Sequence, residues 1–468
     1  MKSASLTIAD APLGDSQIGG FIMPADKGTS ADAQLVRAIG TRELTASIIN
    51  VTIASSIFLM PATVAERLGS AAPIAYLVCA ALMTLIALCF AAAGSRVSLT
   101  GGLYAYIDTA FGGFAGFLGG YLYSVTACLS VASVAAAFAG TVGVLWPAFA
   151  TGPVRALLLA VLFAALAAVN VRGIKPGIRL VEVITAAKLI PLLFLVVAGA
   201  WSVNFEFLRM SMPTVSQVGQ ASIVLLFAFV GVEVALTPSG EIRDPARTVP
   251  RSILTALAVA TSIYLAVQTV AQGTLGPELP FYKDAPLVET AARLFGAGAK
   301  LIFLVGMAVS IFGYIAGDML GTPRALFALA RDGVLPTALV RVHPRYRTPA
   351  MAIVLYAAAV AALAISSSFE RLVVMANVSA LLLYLMCVAA SYQLQRRNVR
   401  MAGAPFDLPG GMLIQLLAAA GIVWLLSQAT HDEWRIEAYV LGVAVVYYVL
   451  KRFLRNPSGA AASPAPDQ

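Results

Sequence analysis

Ile53-Ala54-Ser55-Ser56-Ile57-Phe58-Leu59-Met60-Pro61 interrupts the first long apolar run of this chain, and Phe227-Ala228-Phe229-Val230-Gly231-Val232-Glu233, closed by Pro238, interrupts a later one. Each run is long enough to cross a bilayer, yet each places small residues at mid-span and a proline several residues on. In hydrocarbon an unpaired N–H or C=O is costly, so a broken spanning helix persists only where it lines a cavity or binds something. Matched interruptions in two halves of a chain point to the site of a secondary transporter.

Composition agrees with a membrane setting. Of 468 residues, 60% are hydrophobic and 12% charged, against about 25% charged in soluble domains. The four cysteines (Cys79, Cys89, Cys128, Cys387) all fall inside apolar runs. None has metal-ligand spacing, and they read as small packing residues. The first 34 residues are polar and lack the apolar core of a signal peptide, so the first spanning segment is expected to direct membrane insertion. The tail after Arg455 is low in complexity, and both ends (1–37 and 456–468) are expected to be disordered.

Windows of about 20 apolar residues, the length that crosses ~30 Å of hydrocarbon, give an all-α polytopic membrane protein of twelve transmembrane helices. They lie near 44–68, 72–95, 113–142, 154–171, 180–201, 216–238, 251–274, 298–322, 350–367, 372–394, 411–427 and 435–453. With both termini cytoplasmic, 20 Lys and Arg fall on inner loops and 8 on outer ones, leaving aside Lys2, Lys27 and Lys188. Such a bias sets orientation. It also argues against nucleic acid as a partner despite the net charge of +8, because the basic residues are spread over many short loops. An amphipathic outer segment is expected around Glu278–Phe295.

The first break should open a half-helix at Ser55 and Ser56, whose backbone N–H groups suit a carboxylate. The second, near Phe227–Gly231, frees carbonyls that can accept from an ammonium group. A ligand carrying both charges, an α-amino acid, satisfies both; the bland alternative is a pair of proline kinks repacked by neighbouring helices. Four ionisable residues lie within apolar spans: Glu182, Lys188, Glu233 and Asp318. Their cost in lipid makes a functional role the default. Lys188 lies nine residues in from Arg179, roughly 13 Å deep, and suits proton coupling or a structural bridge. Glu233 can hold a proton, orient the unwound backbone or face a cationic substrate, the first two being favoured. Asp318 can pair with Lys188 or reach a water-filled vestibule, and Glu182 contacts inner arginines. Among Phe227, Tyr123, Tyr264 and Tyr314, only Phe227 stands out, as a gate at the edge of the second break. Gly112-Gly113 and Gly119-Gly120 fit close helix packing. No nucleophile–base or metal constellation is visible, so neither an enzyme nor a cofactor is expected.

Several stretches resemble the amino acid–polyamine–organocation superfamily over roughly residues 38–400: Ile57-Phe58-Leu59-Met60-Pro61, Gly101-Gly102-Leu103-Tyr104-Ala105-Tyr106, the second break itself, Glu241-Ile242-Arg243-Asp244-Pro245 with Arg247-Thr248-Val249-Pro250, and Ala330-Arg331-Asp332-Gly333-Val334-Leu335-Pro336. The resemblance implies a LeuT-like 5+5 inverted repeat, with residues 38–201 as the first repeat, 216–395 as the second and 411–453 as two peripheral helices. It implies alternating access around a site between spans 1 and 6. Its carboxylate cradle falls on Ser55 and Ser56, its ammonium-accepting carbonyls on Thr52, Phe227 and Val230, and its aromatic gate on Phe227. The span 5 lysine of proton-coupled members matches Lys188. The family's usual glycine-rich first break is here Ala54-Ser55-Ser56, which implies a tighter pocket or a displaced ligand. Arginine/agmatine exchangers have an asparagine where this chain has Val131, which favours a neutral substrate.

The expected function is proton-coupled symport of an α-amino acid across the inner (plasma) membrane. Lys188, Glu233 and Asp318 are expected to serve coupling, and Thr52, Ser55, Ser56, Phe227, Val230 and Gly231 to bind substrate. An amino acid/amine exchanger on the same scaffold is the alternative, and a non-transporting amino acid sensor a third. Oligomeric state is not legible.

Overall fold

The computed structural model describes residues 39–53, 56–97, 99, 101–172, 178–209, 211–233, 236, 242–346, 348–401 and 404–455. The terminal segments expected to be disordered lie outside these, as do Ala54, Ser55 and Pro238. Among the described residues the chain is helical, and the one strand-like contact is an isolated parallel bridge between Ile39 and Ile242.

Helix α1 (Thr41–Thr52) is followed by α2 (Ser56–Leu68), α3 (Ala72–Arg96), a short α4 (Leu103–Phe111), α5 (Gly113–Leu145), α6 (Gly152–Arg172) and α7 (Ile178–Gly199). The second half holds α8 (Val215–Leu225), α9 (Pro245–Leu275), α10 (Pro286–Phe295), α11 (Ala297–Arg331), α12 (Ala350–Ser366) and α13 (Phe369–Arg396). Helices α14 (Met412–Leu426) and α15 (His431–Arg455) close the chain. Helix starts follow local chemistry. Thr214 Oγ1 accepts from Gln217 N at 3.3 Å while Gln217 Oε1 accepts from Thr214 N at 2.8 Å, a reciprocal cap on α8. Ser368 Oγ accepts from Arg371 N and so opens α13.

Six of the described helical segments are long and apolar enough to cross a bilayer, and a seventh counts if α14 and α15, bent 113° apart, form one unit. The chain is a multi-pass membrane protein. The first and sixth expected windows are not continuous helices: their halves α1, α2 and α8 have 12, 13 and 11 residues. Each half is too short to cross alone because the chain unwinds at the breaks.

Large apolar side chains on α6, α7, α11 and α15, such as Leu157, Ile190, Ile302 and Val446, are exposed. They suit hydrocarbon rather than water. Helices α5 and α13 are instead mostly buried and pack along each other at the centre. Gly119 and Gly120 let α5 approach α4 and the segment after α11 closely, since a Cβ there would come within 2.9 Å of Ile107 and Val334 respectively. The expected amphipathic segment is α10, which buries Leu287, Val288 and Ala291 and pairs Arg293 with Glu278 at 2.7 Å on its exposed side. The start of α1 is pinned to α9: Arg243 N donates to Ile39 O at 2.9 Å, and Ser252 Oγ to Thr41 O at 3.1 Å. The described cysteines are all free, with Cys79, Cys89 and Cys387 buried.

Candidate functional site

Both sequence interruptions are interruptions of structure. Helix α1 ends at Thr52 after a run rich in β-branched residues, and Ile53 leaves helical geometry at φ −80°, ψ 68°. The helix resumes at Ser56, with Pro61 buried inside α2. Helix α8 tightens into a 3₁₀ turn over Leu226–Ala228 and then unwinds through Gly231, whose φ is +115°. Only glycine adopts that conformation without strain. A Cβ on Gly231 would sit 2.6 Å from Val51 Cγ1, so the two breaks meet there with no room for a side chain.

The backbone groups released by unwinding are taken up by side chains from α9 and α13. Tyr264 on α9 places its hydroxyl 2.7 Å from the carbonyl of Thr52 and 2.7 Å from that of Ala228. A phenol has one hydrogen to donate, so at any moment one of these carbonyls is open to another donor. Asn377 on α13 donates through Nδ2 to the carbonyls of Ile223 at 2.6 Å and Val224 at 3.3 Å, in the last turn of α8. Glu233, 5% exposed, accepts through Oε2 from the Gly231 N–H at 3.0 Å and from the Tyr384 hydroxyl at 2.8 Å. Its carboxylate therefore caps its own unwound segment.

A cavity lies against both breaks. Thr52, Ser56, Phe227, Val230, Gly231 and Glu233 line it, as does Asp318. Seven of the sequence-selected residues are thus brought together. Ser55 lies outside the described residues, and Lys188 is on α7 with its side chain outside the description, as is that of Glu182. Phe227 stands edge-on to Phe369, ring centroids 6.2 Å apart. Asp318 accepts from Thr322 Oγ1 and from the Tyr356 hydroxyl, each at 2.6 Å.

Sequence reasoning undervalued the tyrosines. Tyr123 and Tyr314, candidates ranked below Phe227 from the sequence, line the cavity, and Tyr264, ranked with them, ties the breaks. Thr126 and Ser130 on α5 also face the cavity. Their spacing of four residues, one helical turn, is the signal that could have flagged them. Val131, used in the comparison with arginine exchangers, is buried but does not line the cavity, whereas Ala127, Ser130 and Val134 do. No group of three or more His, Cys, Asp or Glu placed to hold a metal occurs among the described residues.

Residues 39–444, which carry both breaks and every cavity residue, match the family model described as amino acid permease. The chain belongs to the amino acid permease family. Among similar proteins, an uncharacterized transporter of Mycobacterium tuberculosis is 32% identical over 426 residues, 90% of this permease and 92% of the relative. The serine/threonine exchanger SteT of Bacillus subtilis is 28% identical, over 90% of this permease and 98% of its own length. The branched-chain amino acid permease BcaP of the same species is 25% identical, over 91% and 95%. The permease is accordingly a membrane transporter of the amino acid–polyamine–organocation superfamily rather than an enzyme.

Proposed function

We propose that this permease imports an α-amino acid by proton-coupled symport, moving it by alternating access through the cavity between the two breaks. The observation that carries the reading is one cavity lined both by Thr52 and Ser56, on either side of the first break, and by Phe227, Val230 and Gly231 at the second. The helix ends at the two breaks bear opposite partial charges, as a zwitterion requires. In this reading Ser55 and Ser56 hold the carboxylate, the carbonyls of Thr52, Phe227 and Val230 receive the ammonium group, and Phe227 gates. Lys188, Glu233 and Asp318 serve proton coupling. Twelve spans arranged as a 5+5 inverted repeat, with both termini on the cytoplasmic side of the inner membrane, complete the proposal.

Exchange is the second reading, favoured by the similarity to a relative named as a serine/threonine exchanger. Purified protein in proteoliposomes separates the two. Symport gives accumulation of labelled amino acid under an imposed pH gradient and loses it in Lys188→Ala. Label entry that depends on unlabelled amino acid inside, indifferent to the gradient, sinks the symport reading.

A further inference from the structure

Helix α5 carries hydroxyls that behave in two ways. Ser124, Ser133 and Thr141 donate back to their own helix, to the carbonyls of Gly120 at 2.8 Å, Ser130 at 2.7 Å and Ala137 at 3.0 Å. That is the ordinary arrangement for a buried hydroxyl on a helix. Thr126 and Ser130 depart from it. Both are buried, 5% and 7% exposed, both lack any hydrogen-bond partner, and both line the cavity. They lie four residues apart and so on one face of the helix, one turn from each other.

A buried hydroxyl without a partner is a standing cost, and a ligand that brings a matching polar group removes it. Thr52 Oγ1 and Ser56 Oγ on the same cavity are likewise without a partner, but they stand at the first break beside the backbone ends. Both oxygens of Asp318 accept from hydroxyls, and Glu233 Oε2 is shared by Gly231 and Tyr384. The backbone ends at the two breaks suit the charged groups common to every α-amino acid, so they do not discriminate among side chains. On the same wall Ala127 and Val134 are apolar, and Tyr123 stands one turn before Thr126.

We infer that Thr126 and Ser130 form the subsite for a hydroxyl on the substrate's side chain, so that the permease selects small neutral hydroxylated amino acids, serine and threonine, over apolar ones of equal size. The inference rests on the amino acid transport reading above and names its substrate class. Threonine and valine are nearly isosteric and differ by the one group in question. A site built to bond a hydroxyl rejects an analogue that lacks it, because its own polar groups are then left unpaired.

The test is uptake of labelled threonine and valine into proteoliposomes containing the full-length protein, each read as Vmax/KM. The expected result is a preference for threonine of roughly tenfold or more, falling to within about twofold of parity in Thr126→Val with Ser130→Ala. Equal efficiency for the two amino acids in the unaltered protein overturns the assignment and leaves transport intact. A preference that survives the double replacement also overturns it. If that protein fails to fold, as judged by its melting curve in detergent, Ser130→Ala alone carries the second arm. Uptake of neither amino acid while another of the twenty is carried overturns this inference alone, and uptake of none of the twenty under a pH gradient or in counterflow overturns the transport reading with it.

Discussion

The hydroxyl of Tyr264 lies 2.7 Å from the carbonyl oxygen of Thr52. It thereby anchors the end of α1 to α9, and its equal distance to Ala228 O ties in the second break as well. Deleting that hydroxyl removes the one hydrogen the two carbonyls share, at a cost of about 1–3 kcal/mol for a group so stranded. Tyr264→Phe should therefore lower the melting temperature and weaken substrate binding. Melting curves of the purified protein with and without amino acid check this, and an unchanged ligand-induced shift would count against a role in positioning the breaks.

Gly231 is constrained twice, by φ +115° and by Val51 at its missing Cβ. Gly231→Leu should abolish binding, and Gly231→Ala should weaken it strongly. Val51→Ala placed beside Gly231→Ala should recover only part of the loss, because it relieves the steric clash and leaves the backbone strain. Equilibrium binding of labelled amino acid to the purified variants measures each term.

Glu233 works through acceptance: one carboxylate oxygen takes both the Gly231 N–H and the Tyr384 hydroxyl. A glutamine can present a carbonyl oxygen to the same donors, whereas leucine offers none. Glu233→Gln should retain fold and binding while changing the pH dependence of uptake. Glu233→Leu should lose stability by about 1–3 kcal/mol or more. Equal losses in both would show that charge, rather than capping of the break, is what the position supplies.

At the far end of α2, Glu66 and Arg67 each reach across to another helix or loop. Glu66 meets Lys283 at 2.6 Å, and Arg67 meets Glu370 on α13 as well as the carbonyl of Gln220. All four charged side chains are part-exposed, so each pair alone contributes only ~0–1 kcal/mol. The expected consequence is kinetic. Arg67→Glu should alter Vmax more than KM, and adding Glu370→Arg should restore part of the rate. Initial uptake rates at low and high salt test this, since screening should shrink the difference.

Asp108 on α4, between the long helices α3 and α5, is packed against Gly116 and raised above the usual aspartate range by burial, with Asp332 near the end of α11 adding to the effect. Arg331 pairs with Asp332 at 3.2 Å. Because folding raises the proton affinity of Asp108, the native state binds more protons than the unfolded chain above the ordinary value of about 3.9. Stability then falls as pH rises through that window. Asp108→Asn should flatten the dependence, raising the melting temperature more at neutral pH than at pH 5. A parallel shift at all pH values would assign the effect to packing alone.

How much was legible in the chain varies with the kind of information. Helices α3, α5, α6, α9, α11 and α13 begin and end within a few residues of their apolar windows, apart from an earlier start on α9 and a later end on α11. Bilayer thickness imposes that length on the sequence directly. The breaks were equally plain, because Gly231 and the Ala54-Ser55-Ser56 run are local departures from an apolar pattern. Asp318 and Glu233 announced themselves by their cost in lipid.

The partners of these groups were not legible. Tyr264, Tyr356, Tyr384 and Asn377 lie between 36 and 212 residues from the backbone or carboxylate groups they engage, and none announces its partner in sequence. Likewise the five Ser and Thr hydroxyls of α5 look alike in the chain, and only the packed bundle separates three that bond to their own helix from two left open to the cavity. Sequence by itself determined where helices could run and where they had to stop, because hydrophobicity and backbone freedom are properties of consecutive residues. Tertiary structure alone decided which side chains satisfy the freed backbone, because hydrogen bonds depend on positions in space that helix packing sets.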